Sequence, residues 1–181
     1  MLTDTRAGYG AIAILLHWIT AVALAYLWFT APDDQGGRIT VDSSSHIAAG
    51  GGLAALFLAR ILWRLGSANP APLSASTGLN TVASIVKMLL LLDILLIVGT
   101  GMLGVWFAGK PVSLFGLATL PNIVGTNASL AGPMRGLHSL STNLILPALG
   151  GLHVLGAVKH LVIDRDGTFG RMLWPRSNEA A

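Results

Sequence analysis

The stretch HSLSTNLILPALGGLHVLGAVKH, residues 138–160, decides the fold and points to the chemistry. It is almost free of charge, is long enough to cross a bilayer as a helix, and carries His138 and His153 15 residues apart. Two more histidines share this setting, since His17 lies inside the first long apolar run and His46 opens the second. A histidine inside a bilayer is costly, so four of them favour a functional role.

The composition places the whole chain in a membrane. Of 181 residues, 53% are hydrophobic and 10% are charged, whereas a soluble domain carries about 25% charged residues. Four apolar runs, at roughly 11–31, 46–65, 82–107 and 137–163, are each near the length of about 20 residues that a spanning helix needs. Because a lone strand cannot satisfy its backbone in lipid, the predicted fold is all-α: a bundle of four transmembrane helices forming one domain over residues 1–181.

Cysteine usage and charge narrow the function further. The chain has no Cys, which excludes disulfides, thiolate-bound iron–sulfur clusters and covalently attached haem. The net charge is +3 and the pI is near 9.8. The basic residues cluster on one side of the predicted membrane, so no nucleic-acid partner is expected.

Basic residues at the ends of the spans predict their orientation. Those on the side shared by both termini include Arg6, Arg60, Arg64, Lys159 and Arg165. By the positive-inside rule, both termini then face the cytoplasm, and the first run remains as an uncleaved span. The long 108–136 connection lies on the opposite side, and its prolines, among them Pro133, argue against another span within it. Residues 114–120 predict a short helix on the bilayer surface.

Helix depth sorts the four histidines into two pairs. His46 and His138 lie at periplasmic helix starts, whereas His17 and His153 lie in the cytoplasmic third of their spans. His138 and His153 are about 22 Å apart along the helix axis and about 60° apart around it, a rotation that a kink at Pro147 would correct. Paired neutral imidazoles favour a non-covalent b-type haem in each of two stacked sites, and therefore electron transfer.

Some of these residues also fit roles without haem. A lone histidine can hydrogen-bond a neighbouring helix, although this does not explain its recurrence at matched depths. A di-metal site would recruit carboxylates, and Asp93 is the one acid well inside a span. Gly50 and Gly151, near His46 and His153, let a flat cofactor approach the backbone or serve only close helix packing.

Two arginines share one face of the second helix at its predicted cytoplasmic end. Arg60 and Arg64 are four residues apart, so their side chains lie one above the other. They are candidates to hold haem propionates by charge-assisted hydrogen bonds. The alternative is that they only anchor the helix end at the cytoplasmic surface.

The order and spacing of these residues resemble the bacterial cytochrome b(561) family over nearly the whole chain. The matching elements are His17-Trp18, His46 with its glycines, Arg60-x-x-x-Arg64, Pro70-x-Pro72, Phe115-Gly116-Leu117, His138, Asn143, Gly151-Leu152-His153, His160 and Asp166-x-Thr168-x-x-Arg171-Met172. The resemblance implies a multi-pass protein of the bacterial inner membrane with two bis-histidine haem b groups. The family's best-defined activity implies oxidation of superoxide at the periplasmic side and reduction of ubiquinone.

For the quinone, the resemblance directs attention to the cytoplasmic ends of the spans. His160, seven residues beyond His153, is the candidate proton donor, and Lys87 is a weaker one; both are also explained as polar residues at the membrane interface. The chain departs from the family in one respect that concerns the ligands. The interval from His138 to His153 is one residue longer than in a superoxide oxidase of this family.

Two functions fit the resemblance. One is an enzyme, a superoxide:quinone oxidoreductase, in which Lys110 and Arg135 attract the anion. The other is a haem b membrane anchor that passes electrons between quinone or quinol and a partner dehydrogenase or other redox protein. Short exposed connections favour the stand-alone enzyme, whereas a helical bundle without haem would leave the histidine pairs unexplained.

Overall fold

The computed structural model describes residues 1–31, 43–73, 77–115 and 117–175. Its elements in chain order are α1 (Ala11–Phe29), α2 (Ser43–Gly66), α3 (Thr77–Phe107), β1 (Val112–Leu114), β2 (Ala118–Leu120), α4 (Ala128–Leu140), a π-helical turn (Ser141–Ile145), α5 (Leu146–Lys159), a second π-helical turn (His160–Asp164) and a 3₁₀ helix (Phe169–Met172). The helical structure from Ala128 to Asp164 is long enough to form one membrane span.

Within the described ranges, four helical segments are long and apolar enough to cross a membrane. They are Ala11–Phe29, Ser43–Gly66, Gly78–Phe107 and Ala128–Asp164, with mean hydropathies of 2.0, 1.5, 2.4 and 1.5. Many of their large apolar side chains point outward, as exposed Leu15, Leu62 and Leu155 illustrate. Such a surface suits hydrocarbon, in which the backbone must be satisfied within each helix. The predicted all-α class with four spans is confirmed.

The fourth span begins earlier than the apolar pattern predicts. The pattern starts it near residue 137, yet α4 begins at Ala128 and contains Pro133. Proline lacks the N–H that would bond the Ser129 carbonyl. Because Pro133 lies just beyond the first four N–H groups, which lack partners in any helix, only one bond is lost. Pro133 therefore lies inside the fourth span, whose start the apolar pattern places about nine residues too late.

The predicted surface helix at 114–120 is instead an antiparallel hairpin of β1 and β2. Val112 is 1% exposed, and it packs with Leu114 over Gly51 of α2. A Cβ at Gly51 would lie 3.3 Å from the Val112 side chain and 2.5 Å from that of Leu114. The prediction was wrong because docking on α2 is a tertiary contact that the connection's own sequence does not reveal. Gly116 lies outside the described residues.

The chain divides into two compact units. Unit 1 comprises Met1–Ile19, Leu58–Leu90 and Ala148–Ala181, and unit 2 comprises Thr20–Phe57 and Leu91–Pro147. Each unit therefore contains a section of every span. His17 and His153 belong to unit 1, whereas His46 and His138 belong to unit 2.

Hydrogen bonds to backbone carbonyls join α1 and the segments outside the spans in unit 1. The Trp18 indole N–H donates to the Met172 carbonyl at 2.7 Å, and the Arg171 guanidinium donates to the Ala71 carbonyl at 2.6 Å. The Ala71 N–H in turn donates to the Arg6 carbonyl at 2.9 Å. These contacts join the segments before α1, after α2 and after the fourth span to one another.

Candidate cofactor sites

The four histidines of the spans form two facing pairs. In unit 2, the ring centroids of His46 and His138 are 6.4 Å apart, and the ring planes meet at 90°. In unit 1, the centroids of His17 and His153 are 6.1 Å apart, and the planes meet at 67°. The structure thus brings together the two pairs that helix depth predicts.

The ring separation in each pair suits a metal ion held between two imidazoles. An imidazole nitrogen lies about 2 Å from a bound first-row metal ion and about 1.1 Å from its own ring centre, so coaxial rings on opposite sides of one ion have centroids about 6.2 Å apart. A direct hydrogen bond between the nitrogens, at about 3 Å, would bring the centroids to about 5.2 Å. The observed 6.1 and 6.4 Å agree with the first arrangement.

A backbone carbonyl determines which nitrogen His138 offers. Its Nδ1 lies 2.9 Å from the Ile97 carbonyl oxygen. A carbonyl only accepts, so Nδ1 carries the hydrogen and Nε2 keeps a free lone pair, as a metal ligand requires. Gly101 on the same helix leaves room for the ring, because a Cβ there would lie 3.1 Å from two of its atoms.

A cavity lies beside the His46–His138 pair. It holds about 1380 Å³ of space, part of it open at the surface, and its lining is largely apolar. Gly50 belongs to the lining, and no atom lies within 4 Å of a Cβ built there. Lys110 and Arg135 also belong to the lining, and both are exposed. This unit therefore offers a bulky apolar group a cavity with positive charge at its surface.

An arginine contacts the histidine pair of unit 1. The Arg60 Nη2 lies 3.2 Å from His17 Nδ1. Because a guanidinium only donates, Nδ1 accepts here, and the hydrogen of the neutral ring is on Nε2. Arg64, one turn farther along α2, is exposed. Gly151 is also exposed, and a Cβ there would meet nothing within 4 Å.

His160 lies in a cluster of charged residues at the end of the fourth span. Its Nδ1 is 2.8 Å from Asp166 Oδ2 and 3.1 Å from Asp164 Oδ2. The Lys159 ammonium is 2.6 Å from the same Asp164 oxygen. The sequence did not indicate that these carboxylates contact His160. Arg165, which lies between them, adopts a left-handed conformation with φ 49°, and the chain turns back there.

Hydrogen bonds hold Asp166 in its ionised form. Burial acts to raise the pKa of Asp166, but hydrogen bonds from the Thr168 backbone and hydroxyl and from His160 outweigh it, so the pKa lies below the usual range. The Thr168 N–H donates to Asp166 Oδ1 at 2.9 Å. The ligand atoms of His160, Asp164 and Asp166 lie within 4.8 Å of one another. Lys159 already neutralises Asp164, which favours an ion-pair network over a metal site.

The two ionisable residues of α3 belong to different units. Lys87 is in unit 1, is exposed, and interacts electrostatically with Arg64 and His153. Asp93 is in unit 2, is 5% exposed, and accepts a hydrogen bond from Ser141. The two side chains therefore act in separate surroundings.

Comparison with known proteins agrees with the motif resemblance. The family model for prokaryotic cytochrome b561 matches residues 8–175. The chain is also 30% identical over 187 aligned residues to cytochrome b561 homolog 2 of Escherichia coli (strain K12), an alignment that covers 98% of this chain and 97% of that protein. The chain therefore belongs to the prokaryotic cytochrome b561 family and is a bacterial multi-pass membrane protein that binds haem b and transfers electrons.

Proposed function

We propose that the protein holds two haem b groups, oxidises superoxide and reduces ubiquinone. His46 and His138 would hold one haem, and His17 and His153 the other. The observation that carries the proposal is the ring separation of 6.4 and 6.1 Å, which suits one iron in each pair. When bound, the haems supply a relay for single electrons.

Arg60 would change its partner if His17 held a haem through Nε2. The ring hydrogen of His17 would then lie on Nδ1, facing the Arg60 guanidinium 3.2 Å away, and two donors in that position would repel. Arg60 would instead bind an anionic acceptor, and a haem propionate is the acceptor that the cofactor would bring. Arg64, one turn away, is the second candidate for this contact.

Lys110 and Arg135 are the proposed attraction for superoxide. Both are exposed, and both line the cavity that holds the His46–His138 pair. Two cations at the surface of a largely apolar cavity raise the local concentration of a small anion. The O₂ that forms is neutral, so the same charges do not retain it.

Reduction of ubiquinone needs protons as well as electrons. Two superoxide ions lose one electron each and become two O₂ molecules, while one ubiquinone gains two electrons and two protons and becomes ubiquinol. His160 is the proposed proton donor. Because its Nδ1 is directed at carboxylate oxygens, Nε2 is the nitrogen left to pass a proton to the quinone. Lys87 is a weaker candidate.

We infer that the protein lies in the bacterial inner membrane with both termini in the cytoplasm. The basic residues that support this orientation include Arg6, Arg60 and Lys159 at the ends of the spans. The cavity with Lys110 and Arg135 would then open towards the periplasm. Superoxide would be met on that side, and quinone would be reduced near the cytoplasmic end.

A second candidate function is that of a haem b anchor for a redox partner protein. The connection that carries β1 and β2 favours it, since Phe115, Leu117 and Ile123 are 67%, 91% and 77% exposed. A group of exposed apolar side chains marks a contact with a partner or with the membrane surface. An anchor would exchange electrons with quinone or quinol on one side and with that partner on the other.

Purified protein distinguishes the two functions. Oxidised protein is mixed with enzymatically generated superoxide while the haem bands are recorded, and oxidised ubiquinone is then added. We expect reduction of the bands by superoxide, their reoxidation by quinone, and loss of the first step when superoxide dismutase is present. Bands that stay oxidised with superoxide but are reduced by ubiquinol would contradict the enzyme and favour the anchor.

A further inference from the structure

Two polar contacts join α3 to the fourth span inside unit 2. Ser141 donates its hydroxyl hydrogen to Asp93, and His138 Nδ1 donates to the Ile97 carbonyl at 2.9 Å. Asp93 and Ile97 are four residues apart on α3, and His138 and Ser141 are three residues apart on the fourth span. Both spacings place the residues on one side of their helix. One face of α3 therefore contacts His138 through the Ile97 carbonyl and, one turn away, Ser141 through Asp93.

The Asp93–Ser141 contact is fully enclosed by protein. Ser141 is 0% exposed and Asp93 is 5% exposed. The second carboxyl oxygen of Asp93 has no hydrogen-bond partner among the described residues. An acid within a span is costly and normally serves a function. A hydrogen bond without competing water is also stronger than an exposed one, so this contact holds its two helices firmly.

Ser141 occupies a special place in the fourth span. It is the first residue of the π-helical turn Ser141–Ile145, where the regular helix that carries His138 has ended. Side chains satisfy carbonyls around this wider turn: the Thr142 hydroxyl donates to the His138 carbonyl at 2.9 Å, and the Asn143 amide to the Ser139 carbonyl at 3.0 Å. A π-helical turn relaxes the usual helical register, so an anchor at its first residue limits how far α4 can rotate.

We propose that Asp93 is a positioning residue for His138. By holding Ser141, it fixes the rotation of α4 and thus the direction from which His138 Nε2 meets the haem iron. The Ile97 carbonyl orients the imidazole ring, whereas Asp93 orients the helix that carries it. This inference rests on the haem site proposed for His46 and His138.

Four variants of the full-length, haem-loaded protein test the inference. Asp93→Leu removes the acceptor at similar volume, Asp93→Asn keeps an acceptor oxygen, and Ser141→Ala removes the donor. Ser139→Ala is the matched control, because Ser139 Oγ contacts only the Asn143 amide of its own helix, at 3.2 Å, among the described contacts. The measurements are haem content, the rate of haem transfer to excess apomyoglobin, and the low-spin EPR signals, which report the ligand geometry of each haem.

Loss of a partner that contacts a metal ligand weakens binding by about 10- to 100-fold, and Asp93 acts on His138 less directly, through Ser141. Asp93→Leu and Ser141→Ala should therefore release one of two haems about tenfold faster, the lower end of that range, and change one EPR signal. The second haem, held in unit 1, serves as the internal control for folding. Asp93→Asn and Ser139→Ala should match the wild type.

Two outcomes would overturn the inference. One is unchanged haem release and EPR signals in both Asp93→Leu and Ser141→Ala. The other is an Asp93→Asn variant that changes as much as Asp93→Leu, since charge rather than hydrogen bonding would then be responsible. His138→Ala, measured in parallel, tests the haem site itself. If that variant keeps both haems, the proposed ligand pair fails independently of Asp93.

Discussion

Removing His160 should separate quinone reduction from haem reduction. A positioned general acid contributes about 10²- to 10⁴-fold to a rate. His160 is 22% exposed at its side chain, so water can partly replace it, and we expect the lower end, a loss of about 10²-fold in haem reoxidation by ubiquinone for His160→Ala. Haem content and reduction by superoxide should not change, because His160 is none of the proposed iron ligands.

The cluster around His160 predicts a graded series of smaller effects. A hydrogen bond to a charged group contributes about 1.5–3 kcal/mol. The Asp166 side chain is 18% exposed, which favours about 1.5 kcal/mol, or about tenfold in rate, for Asp166→Asn. Asp164→Asn should have a smaller effect, because Asp164 is farther from Nδ1, at 3.1 Å, and is shared with Lys159. Lys159→Gln is the matched control and should leave reoxidation near the wild-type rate.

Asp166 determines how the stability of this cluster changes at acidic pH. Because its hydrogen bonds hold the pKa of Asp166 below the usual range, its contribution to stability is complete above about pH 4, the ordinary value for aspartate, and is lost as the pH falls through the lowered pKa. Asp166 should therefore add no pH dependence to stability at neutral pH.

Stopped-flow reoxidation of pre-reduced protein, followed at the haem bands, measures the rates of the whole series of variants around His160. Normal quinone turnover in His160→Ala would refute the reasoning.

The remaining predictions concern the haem sites, the anion entry and the topology. His46→Ala should lower haem content from about two groups per chain to about one in a pyridine haemochrome assay; a content that stays the same would remove His46 from the ligand set. Arg60→Gln should lower the midpoint potential of the unit 1 haem in a redox titration, whereas Arg60→Lys, which keeps the charge, should lower it less. Lys110→Gln with Arg135→Gln should slow superoxide-driven haem reduction about tenfold at low ionic strength and less at high salt; equal rates at all salt concentrations would exclude steering. Reporter fusions at the C-terminus should be active only with a cytoplasmic reporter, and activity of a periplasmic reporter would reverse the orientation.

The lengths of the apolar runs and the depths of the histidines along them were enough to predict the spans and the histidine pairs. The four spans follow from apolar runs that a bilayer requires, and the pairing of His46 with His138 and of His17 with His153 follows from rise per residue alone. These are one-dimensional properties, so a sequence contains them in full. The apolar pattern did not predict the start of α4. Such a pattern does not take into account that a proline near a helix start removes only one hydrogen bond.

The features that the sequence did not reveal depend on contacts between elements. The hairpin docks on Gly51, and the Ile97 carbonyl selects the His138 tautomer; neither partner is near the other in sequence. Arg60 was a candidate for a propionate or for the cytoplasmic surface, and the sequence did not indicate its contact with His17. The sequence also did not reveal the π-helical turn Ser141–Ile145 between His138 and His153. Such a turn takes more residues than an α-helical one, which fits the longer ligand interval that the family resemblance indicates.

The charges around the two histidine pairs differ in a way that bears on the direction of electron flow. In unit 1, Arg60 acts electrostatically on both His17 and His153, and a guanidinium keeps its charge at all working pH values. A fixed positive charge stabilises an added electron nearby. In unit 2, the buried acid Asp93 has no effect on an added electron when it is neutral and disfavours the electron when it is ionised. Lys110 and Arg135 of the same unit are exposed, so solvent weakens their effect on the buried histidine pair. Arg60 remains in unit 1 and offsets the negative charge of a propionate there, so we expect these charges to favour the electron in unit 1, where the proposed function places quinone reduction.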